Sequence, residues 1–232
     1  MEHWPKLALC KGDGLAKPRA SAVTETNIHQ YYSLLEETLQ ENGILNCPSR
    51  VYNMDESGMP LDHKPPKVVV PKGTKVHCRT SGNKAQMWKC SRLYDSPMVN
   101  FEGKHLNPEW TKGEVPDTLY GMSEKGWKDM ELFHYWMTNL FIPNIPPARP
   151  VMLLLDGHSS HYELDTICIA QNQGMWCFVS LHTPRTCLSH LMCFFFFRPL
   201  KPYWSDSCHK YMQDNPGHVV TKYQFSALFS QA

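Results

Sequence analysis

The 232-residue sequence has no long apolar segment and almost no excess of either charge. No stretch reaches the roughly eighteen apolar residues that a membrane-spanning helix needs, and the N-terminus has no apolar core typical of a signal peptide. Lysine and arginine number 23 and aspartate and glutamate 22, which gives a net charge of +1. This balance excludes a strongly basic nucleic-acid-binding arm, so that any nucleic-acid binding would depend on local patches.

The sequence also lacks paired cysteines. Nine cysteines are present, an odd number, and none stands in a Cys-x-x-Cys pair. Disulfide frameworks and structural zinc sites usually need even, regularly spaced sets. The pattern therefore predicts an intracellular protein with mostly inert thiols. A content of 42% hydrophobic and 12% aromatic residues predicts a folded core and argues against disorder.

The order of predicted elements indicates a mixed α/β fold. Residues 1–22 are expected to form an irregular arm or linker, and residues 23–232 one domain. Helices are predicted from Thr24 to about Gly43, from Ser123, near 162–172, near 194–213 and near 219–231. Strands are predicted at 51–54, around 68–70, at 151–155 and at 175–180. The strand–helix–strand order between 151 and 180 predicts a βαβ unit and an at least partly parallel sheet.

Two aspartates are the candidate site residues. Asp156 follows five apolar residues at 151–155, which is typical of a buried strand that ends at a site. A buried carboxylate costs free energy unless a cation pairs with it. Asp55 follows a short apolar strand in Tyr-Asn-Met-Asp-Glu-Ser-Gly, although a turn or a helix cap also explains that motif. Two such acids brought together predict a site for a divalent metal ion.

Two histidines, His158 and His161, follow Asp156 with a spacing that leaves several roles open. Together with Asp156 they supply the donors of a zinc metallohydrolase. Alternatively, they cap the following helix or hydrogen-bond to the acids without touching a metal.

Four motifs occur together in this sequence: Tyr-Asn-Met-Asp-Glu-Ser-Gly at 52–58, Lys-Gly-Thr-Lys-Val-His-Cys-Arg-Thr-Ser-Gly-Asn-Lys-Ala-Gln at 72–86, Leu-Leu-Leu-Asp-Gly-His-Ser-Ser-His at 153–161 and Arg-Pro-Leu-Lys-Pro-Tyr-Trp at 198–204. In combination they resemble the DDE endonuclease domain of pogo-type transposases, the group that includes Tigger elements and the jerky and centromere-protein-B relatives. The resemblance runs from about residue 20 to the C-terminus. It implies an RNase H-like fold, with a mixed five-stranded sheet flanked by helices and three acids that hold two Mg²⁺ or Mn²⁺ ions.

The same resemblance assigns roles to individual residues. Asp55 would be the first acid, on the first strand, and Asp156 the second, on the fourth strand. Glu56, His158 and His161 would lie beside the acids and outside the metal's own ligand set. DNA is the implied partner and the nucleus the implied location.

The sequence departs from the family at the third acid, whose position falls on Cys193. A thiol is a soft and poor ligand for Mg²⁺, and it carries no charge at neutral pH unless it ionises. Asp206 is more than three helical turns farther on, too far to take its place. The departure predicts weakened metal binding and little remaining DNA cleavage, with a non-catalytic DNA or protein interaction module as the alternative. Two further departures are expected: a disrupted second-strand region at 87–96, and no N-terminal DNA-binding region.

Overall fold

Six strands form one sheet in the part of the chain that the structure describes. The computed structural model describes residues 24–61, 84–90, 97–124, 130–161, 163–179 and 196–232. The strands are β1 (Val51–Pro60), β2 (Lys84–Cys90), β3 (Met98–Glu102), β4 (Leu119–Ser123), β5 (Val151–Leu155) and β6 (Met175–Val179). The α-helices are α1 (Glu25–Glu41), α2 (Met130–Trp136), α3 (Leu164–Asn172), α4 (Arg198–Asp214) and α5 (Lys222–Phe229).

Shorter helical segments connect these elements. The helix α2 continues through a π-helical segment, Met137–Phe141, into a last turn, Ile142–Asn144. Turns of 3₁₀-helix lie at Pro48–Arg50, Pro108–Thr111 and Ser159–His161.

The sheet is mixed, with its strands in the order β4-β3-β2-β1-β5-β6. The strand β2 is antiparallel to both β1 and β3, whereas β3–β4, β1–β5 and β5–β6 are parallel pairs. The predicted mixed α/β architecture and the βαβ unit at 151–180 are therefore confirmed. The predicted five-stranded sheet is not confirmed, because β4 adds a sixth described strand beside β3. Asp156 consequently follows the fifth strand along the chain and not the fourth.

The first strand is longer than the sequence predicted. The prediction ended it at Met54, because Asp-Glu-Ser-Gly favours a turn. In the structure β1 continues to Pro60 and pairs with β2 from Met54↔Cys90 to Pro60↔Lys84. The interstrand pairing overrides the local turn preference. Residues 87–90 of the region expected to be disrupted belong to β2, which pairs with a strand on each side, while residues 91–96 lie outside the described part of the chain.

The sequence did not predict β4, and it assigned Ser123 to the start of a helix. That assignment is wrong, because Ser123 is the last residue of β4 and its hydroxyl accepts a hydrogen bond from Asn100 Nδ2 at 3.0 Å. The helix α2 begins at Met130. Gly121 of β4 allows α2 to pack closely, since a Cβ atom at this position would lie 2.6 Å from Leu132 Cδ2.

Apolar side chains cover both faces of the sheet. On one face, α2 and its π-helical continuation pack against β1 and β5. On the other face, α1 packs against β5, while α4 and α5 pack against β3 and the end of β1. The burial of these side chains is the main favourable term in folding, at about 25 cal/mol per Å². The two clusters on the second face lie over different parts of the sheet.

The first helix agrees with its predicted ends. Thr24 Oγ1 accepts a hydrogen bond from the backbone N–H of Asn27 at 3.2 Å and so caps the N-terminus. Gly43 follows the C-terminus with a φ of +64°, a conformation that glycine adopts without strain. None of the described helices is long and apolar enough to cross a bilayer. The predicted arm at 1–22 and strand near 68–70 lie outside the described residues.

Candidate metal centre

Asp55 and Asp156 come from two adjacent parallel strands. β1 and β5 pair in a register that includes Asn53↔Leu154. The same register, continued by two residues, sets Asp55 opposite Asp156. Neighbouring strands lie about 4.8 Å apart, so this arrangement brings the two acids close together. The register of the two strands therefore supports the convergence of the two acids, which stays a prediction.

Strand alternation assigns Asp55, but not Asp156, to a face of the sheet. Side chains alternate between faces along a strand, so Asp55 shares its face with Met59, which packs in the cluster under α4 and α5. Asp156 comes directly after Leu155, the last residue of β5. Its carboxylate contacts His161, whose ring packs against Phe133 of α2.

The Asp156 carboxylate is held through one of its oxygens. Oδ1 accepts a hydrogen bond from the backbone N–H of His158 at 3.2 Å and lies 3.1 Å from His161 Nδ1. The Asp156 side chain remains 27% exposed. Asp55 Oδ1 accepts a hydrogen bond from the backbone N–H of Glu56 at 2.8 Å. Both carboxylates are oriented by neighbouring donors, and that of Asp156 still reaches solvent.

His161 connects the acids to the opposite face of the sheet. Its Nε2 atom lies 3.5 Å from Glu56 Oε1, and the two side chains are 1% and 2% exposed. Glu56 follows Asp55 in the strand and so points to the face covered by α2. There the ring of His161 packs against Phe133, with 4.6 Å between ring centroids.

The buried pair determines the charge of His161. Burial by itself lowers the pKa of His161, but the nearby carboxylates of Asp156 and Glu56 outweigh this effect and raise the pKa to about 9. The imidazole is therefore a cation at neutral pH, placed between two carboxylates. A cation at this point favours the ionised form of Asp156, which is the form that binds metal ions.

The alternative of a zinc site formed by Asp156, His158 and His161 is not supported. Among the described residues, which include all three as well as Asp55 and Glu56, no group of three or more His, Cys, Asp or Glu side chains is arranged to hold a metal ion. His158 Nδ1 lies 2.9 Å from the hydroxyl of Ser160, and both nitrogens of His161 face carboxylates. The two histidines therefore serve the local turn and the acids.

Cys193, which stands at the predicted position of the third acid, lies outside the described residues. The described residues resume at Phe196, and α4 begins at Arg198. Trp204 of α4 donates its indole N–H to the carbonyl oxygen of Pro60 at 2.9 Å, so α4 lies against the end of the strand that carries Asp55. Any contact of Cys193 with the two aspartates stays a prediction.

A cavity of about 560 Å³ lies elsewhere, between β4 and α2. Its walls include His134, Tyr135 and Asn139, but neither Asp55 nor Asp156. This cavity is therefore separate from the candidate site.

The profile of the family described as "DDE superfamily endonuclease" matches residues 93–216, more than half of the sequence. The chain belongs to this family. Asp156 and Cys193 lie inside the matched residues, whereas Asp55 precedes them. The placement of Asp55 therefore depends on the strand register and not on the family match. No curated protein sequence matches the chain.

Solved structures support the same fold. A pre-cleavage Mos1 transpososome is similar with a TM-score of 0.50 and 12% identity, over 99% of this chain and 66% of that one. The Mos1 mariner paired-end complex with Mn gives a TM-score of 0.50 and 12% identity, over 97% and 65%. The DDE chain spans 55% to 66% of the length of the Mos1 chains that it matches. At this identity the likeness shows an RNase H-like mixed α/β fold.

Sequence reasoning named Glu56 and His161 as neighbours of the acids, but it did not predict that they contact each other. Nor did it identify Phe133 as the residue that packs against His161. The apolar stripe of α2 marked Phe133 as a core residue only. The contact needs the register of β1, the turn after β5 and the position of α2 at the same time, and no local motif encodes all three.

Proposed function

We propose that this chain is a transposon-derived DDE domain of the pogo, Tigger and jerky group. In this proposal it binds DNA and a divalent cation through Asp55 and Asp156 but cleaves DNA poorly, because Cys193 replaces the third acid. The observation that carries the proposal is the parallel pairing of β1 and β5, whose register, continued by two residues, sets Asp55 opposite Asp156. Family membership adds the reaction class.

The two described donors fit a hard divalent cation. Carboxylate oxygens suit Mg²⁺ and Mn²⁺, and Mg²⁺ is commonly bound through one or two carboxylates together with substrate phosphates and water. When bound, such an ion polarises a phosphodiester and activates water or a 3′-hydroxyl for attack. In this chain Asp55 and Asp156 would hold the ion, and His161 keeps Asp156 ionised. The Mos1 complex with Mn is consistent with the choice of metal.

The third position decides how much chemistry remains. Two ions in a two-metal mechanism need more negative oxygen ligands than two carboxylates provide. A neutral thiol at residue 193 supplies neither the charge nor the hard oxygen. Asp206 is exposed on α4, more than three turns beyond this point, and does not replace the missing acid. We therefore infer that DNA cleavage is impaired.

A nicking assay on supercoiled DNA with Mg²⁺ or Mn²⁺ tests the proposal. We expect little cleavage by the wild type, and a gain with Cys193→Asp that disappears when Asp156→Ala is added. Strong wild-type cleavage that is abolished by Asp156→Ala would contradict the inferred impairment. If Cys193→Asp gives no gain, residue 193 is not the third position.

DNA binding distinguishes the impaired enzyme from a non-catalytic module. The Mos1 structures with the same fold are a transpososome and a paired-end complex, which supports DNA as the partner. We expect binding that weakens as salt rises, with a linear dependence of log K on log salt. If DNA does not bind at low salt, a protein-interaction module becomes the better proposal.

The extent and location of the domain are further parts of the proposal. We propose a domain over residues 23–232, with 1–22 as an arm, and a nuclear location. Fluorescence microscopy of the tagged chain tests the location, and limited proteolysis with mass spectrometry tests the boundary at residue 22.

A further inference from the structure

His161 contacts the candidate metal ligand Asp156 on one side and Glu56 of β1 on the other. Its Nδ1 atom lies 3.1 Å from Asp156 Oδ1 and 3.1 Å from the Asp156 carbonyl oxygen. Its Nε2 atom lies 3.5 Å from Glu56 Oε1. The ring thus joins the end of β5 to the face of β1 opposite Asp55.

The side chains of Glu56 and His161 are both buried, and burial keeps the two side chains close to each other. A buried carboxylate without a nearby cation costs several kcal/mol, so its partner is kept close. The exposed fractions of the two side chains are 2% and 1%. The ring of Phe133 packs against the imidazole at a tilt of 50°, with 4.6 Å between ring centroids, and limits its rotation. The ring is therefore fixed by a carboxylate on each side and by an aromatic ring.

The Asp156 side chain, in contrast to the buried Glu56–His161 pair, is partly exposed to solvent. It is 27% exposed and lies at the start of a short loop that follows the last residue of β5. A carboxylate in that setting samples several rotamers unless a neighbour holds it. His161 holds its Oδ1 atom, and the backbone N–H of His158 holds the same atom.

We propose that the Glu56–His161 pair is a positioning device for the metal centre: Glu56 fixes the imidazole, and the imidazole fixes the Asp156 carboxylate for a divalent cation. Neither residue of the pair would be a metal ligand. The inference rests on the proposed role of Asp55 and Asp156. It assigns to Glu56 a function that its position beside Asp55 does not imply, since the two side chains leave β1 on opposite faces.

The proposal predicts that substitution of Glu56 or His161 lowers the affinity for the metal ion, although neither residue would contact the ion. Removal of a residue that orients a metal ligand typically weakens metal binding 10- to 100-fold. We expect about this loss from Glu56→Gln, which keeps the size of the side chain and removes its charge. We expect the same loss from His161→Leu, and a partial recovery in His161→Gln, whose amide can still donate to Asp156.

The measurement is Mn²⁺ binding to the full chain, followed by electron paramagnetic resonance of the free ion. The direct ligand variant is Asp156→Asn. The matched control is the pair His134 and Glu163, another histidine–carboxylate contact, with 3.8 Å between Nδ1 and Oε2. His134→Leu and Glu163→Gln should bind Mn²⁺ as the wild type does. Circular dichroism establishes that each variant is folded.

Coupling separates a positioning role from simple destabilisation. If Glu56 acts through His161, the double variant Glu56→Gln/His161→Leu loses no more affinity than His161→Leu alone. If the losses of Mn²⁺ affinity in the two single variants add up in the double variant, Glu56 does not act through His161. If His161→Leu does not fold, Glu56→Gln and His161→Gln still decide the question.

The outcomes distinguish this inference from the proposed function. If Asp156→Asn loses Mn²⁺ while Glu56→Gln and His161→Leu bind it like the wild type, the positioning role is wrong and the metal centre stands. If Asp156→Asn leaves Mn²⁺ binding unchanged, the metal centre itself is wrong and the positioning role fails with it.

Discussion

Trp204 donates its indole N–H to the carbonyl oxygen of Pro60, and the two atoms are 2.9 Å apart. This hydrogen bond joins α4 to the last residue of β1. The side chain of Trp204 is 3% exposed and packs against Phe225, with 4.9 Å between ring centroids. These contacts hold α4 against the end of the strand that carries Asp55.

The first prediction concerns this bond. Trp204→Phe keeps an aromatic ring but removes the indole donor to the Pro60 carbonyl and part of the buried apolar volume. We expect the free energy of unfolding to fall by about 1–3 kcal/mol, measured by urea denaturation. Tyr203→Phe, at a side chain that is 61% exposed, should change it by less than about 0.5 kcal/mol. Equal effects of the two variants would show that α4 is not attached as described.

The second prediction concerns the two aspartates without metal. Two carboxylates on neighbouring strands repel each other, so Asp55→Asn should stabilise the protein in a chelator. A gain of about 1 kcal/mol corresponds to a rise in Tm of about 2–4 °C for a chain of this size. The same variant should lose the stabilisation that Mg²⁺ gives to the wild type. Differential scanning calorimetry with and without Mg²⁺ measures both effects.

The control for this prediction is Asp206→Asn, which removes the same charge from an exposed position on α4. It should leave Tm in chelator and the Mg²⁺ effect as in the wild type. A loss of the Mg²⁺ effect in Asp206→Asn would mean that this residue binds the cation. The inference that the site lacks a third carboxylate, because Cys193 replaces it, would then be wrong.

The sequence predicted the elements that local signals encode. Five consecutive apolar residues marked β5, and Gly43 marked the end of α1, because a buried strand and a left-handed helix end have direct sequence signatures. The extension of β1 beyond Asp55 has no such signature. Its residues favour a turn, and the pairing with β2 that keeps them extended comes from a segment more than twenty residues away. Long-range pairing is invisible to a local pattern.

The candidate site shows the same division. Asp55 and Asp156 were predicted from the strands beside them, and these two strands are parallel neighbours in the sheet. The contact between Glu56 and His161 was not predicted, because it depends on which face of β1 each side chain leaves and on how the turn after β5 folds back. Spacing in the sequence gives neither.

The third prediction concerns pH. The folded-state pKa of His161 is raised from 6.5 to about 9, so the folded protein binds a proton that the unfolded chain releases between these values. The stabilisation from His161 is therefore complete below about pH 6.5 and disappears as the pH rises through 9. The shift corresponds to at most about 3 kcal/mol. Urea denaturation in chelator at pH 6.5, 8 and 10 measures the change.

His161→Gln provides the comparison, because it cannot take up the proton. Its free energy of unfolding should lie below that of the wild type at pH 6.5, and the difference should shrink by pH 10. Subtraction of the two curves removes the titration of other groups, which both proteins share. A difference that is constant with pH would contradict a cationic His161.

The fourth prediction concerns the thiols, whose reactivity reports on packing around the sheet. Burial raises the pKa of Cys177 to about 11 and that of Cys208 to about 12, whereas Cys168 is exposed. Alkylation requires the thiolate, so at pH 8 iodoacetamide should modify Cys168 first and leave Cys177 and Cys208 largely unmodified. Peptide mapping by mass spectrometry resolves the three sites.

Denaturation supplies the internal control, since in concentrated urea all three thiols lose their surroundings and should react at similar rates. Protection of Cys208 in the folded protein depends on the packing of α4 against β1 and β3, where Cys208 belongs to the same cluster as Trp204. Trp204→Phe should therefore speed the alkylation of Cys208 and leave Cys168 unchanged. If Cys208 in the wild type reacts as fast as Cys168, α4 does not cover this face of the sheet.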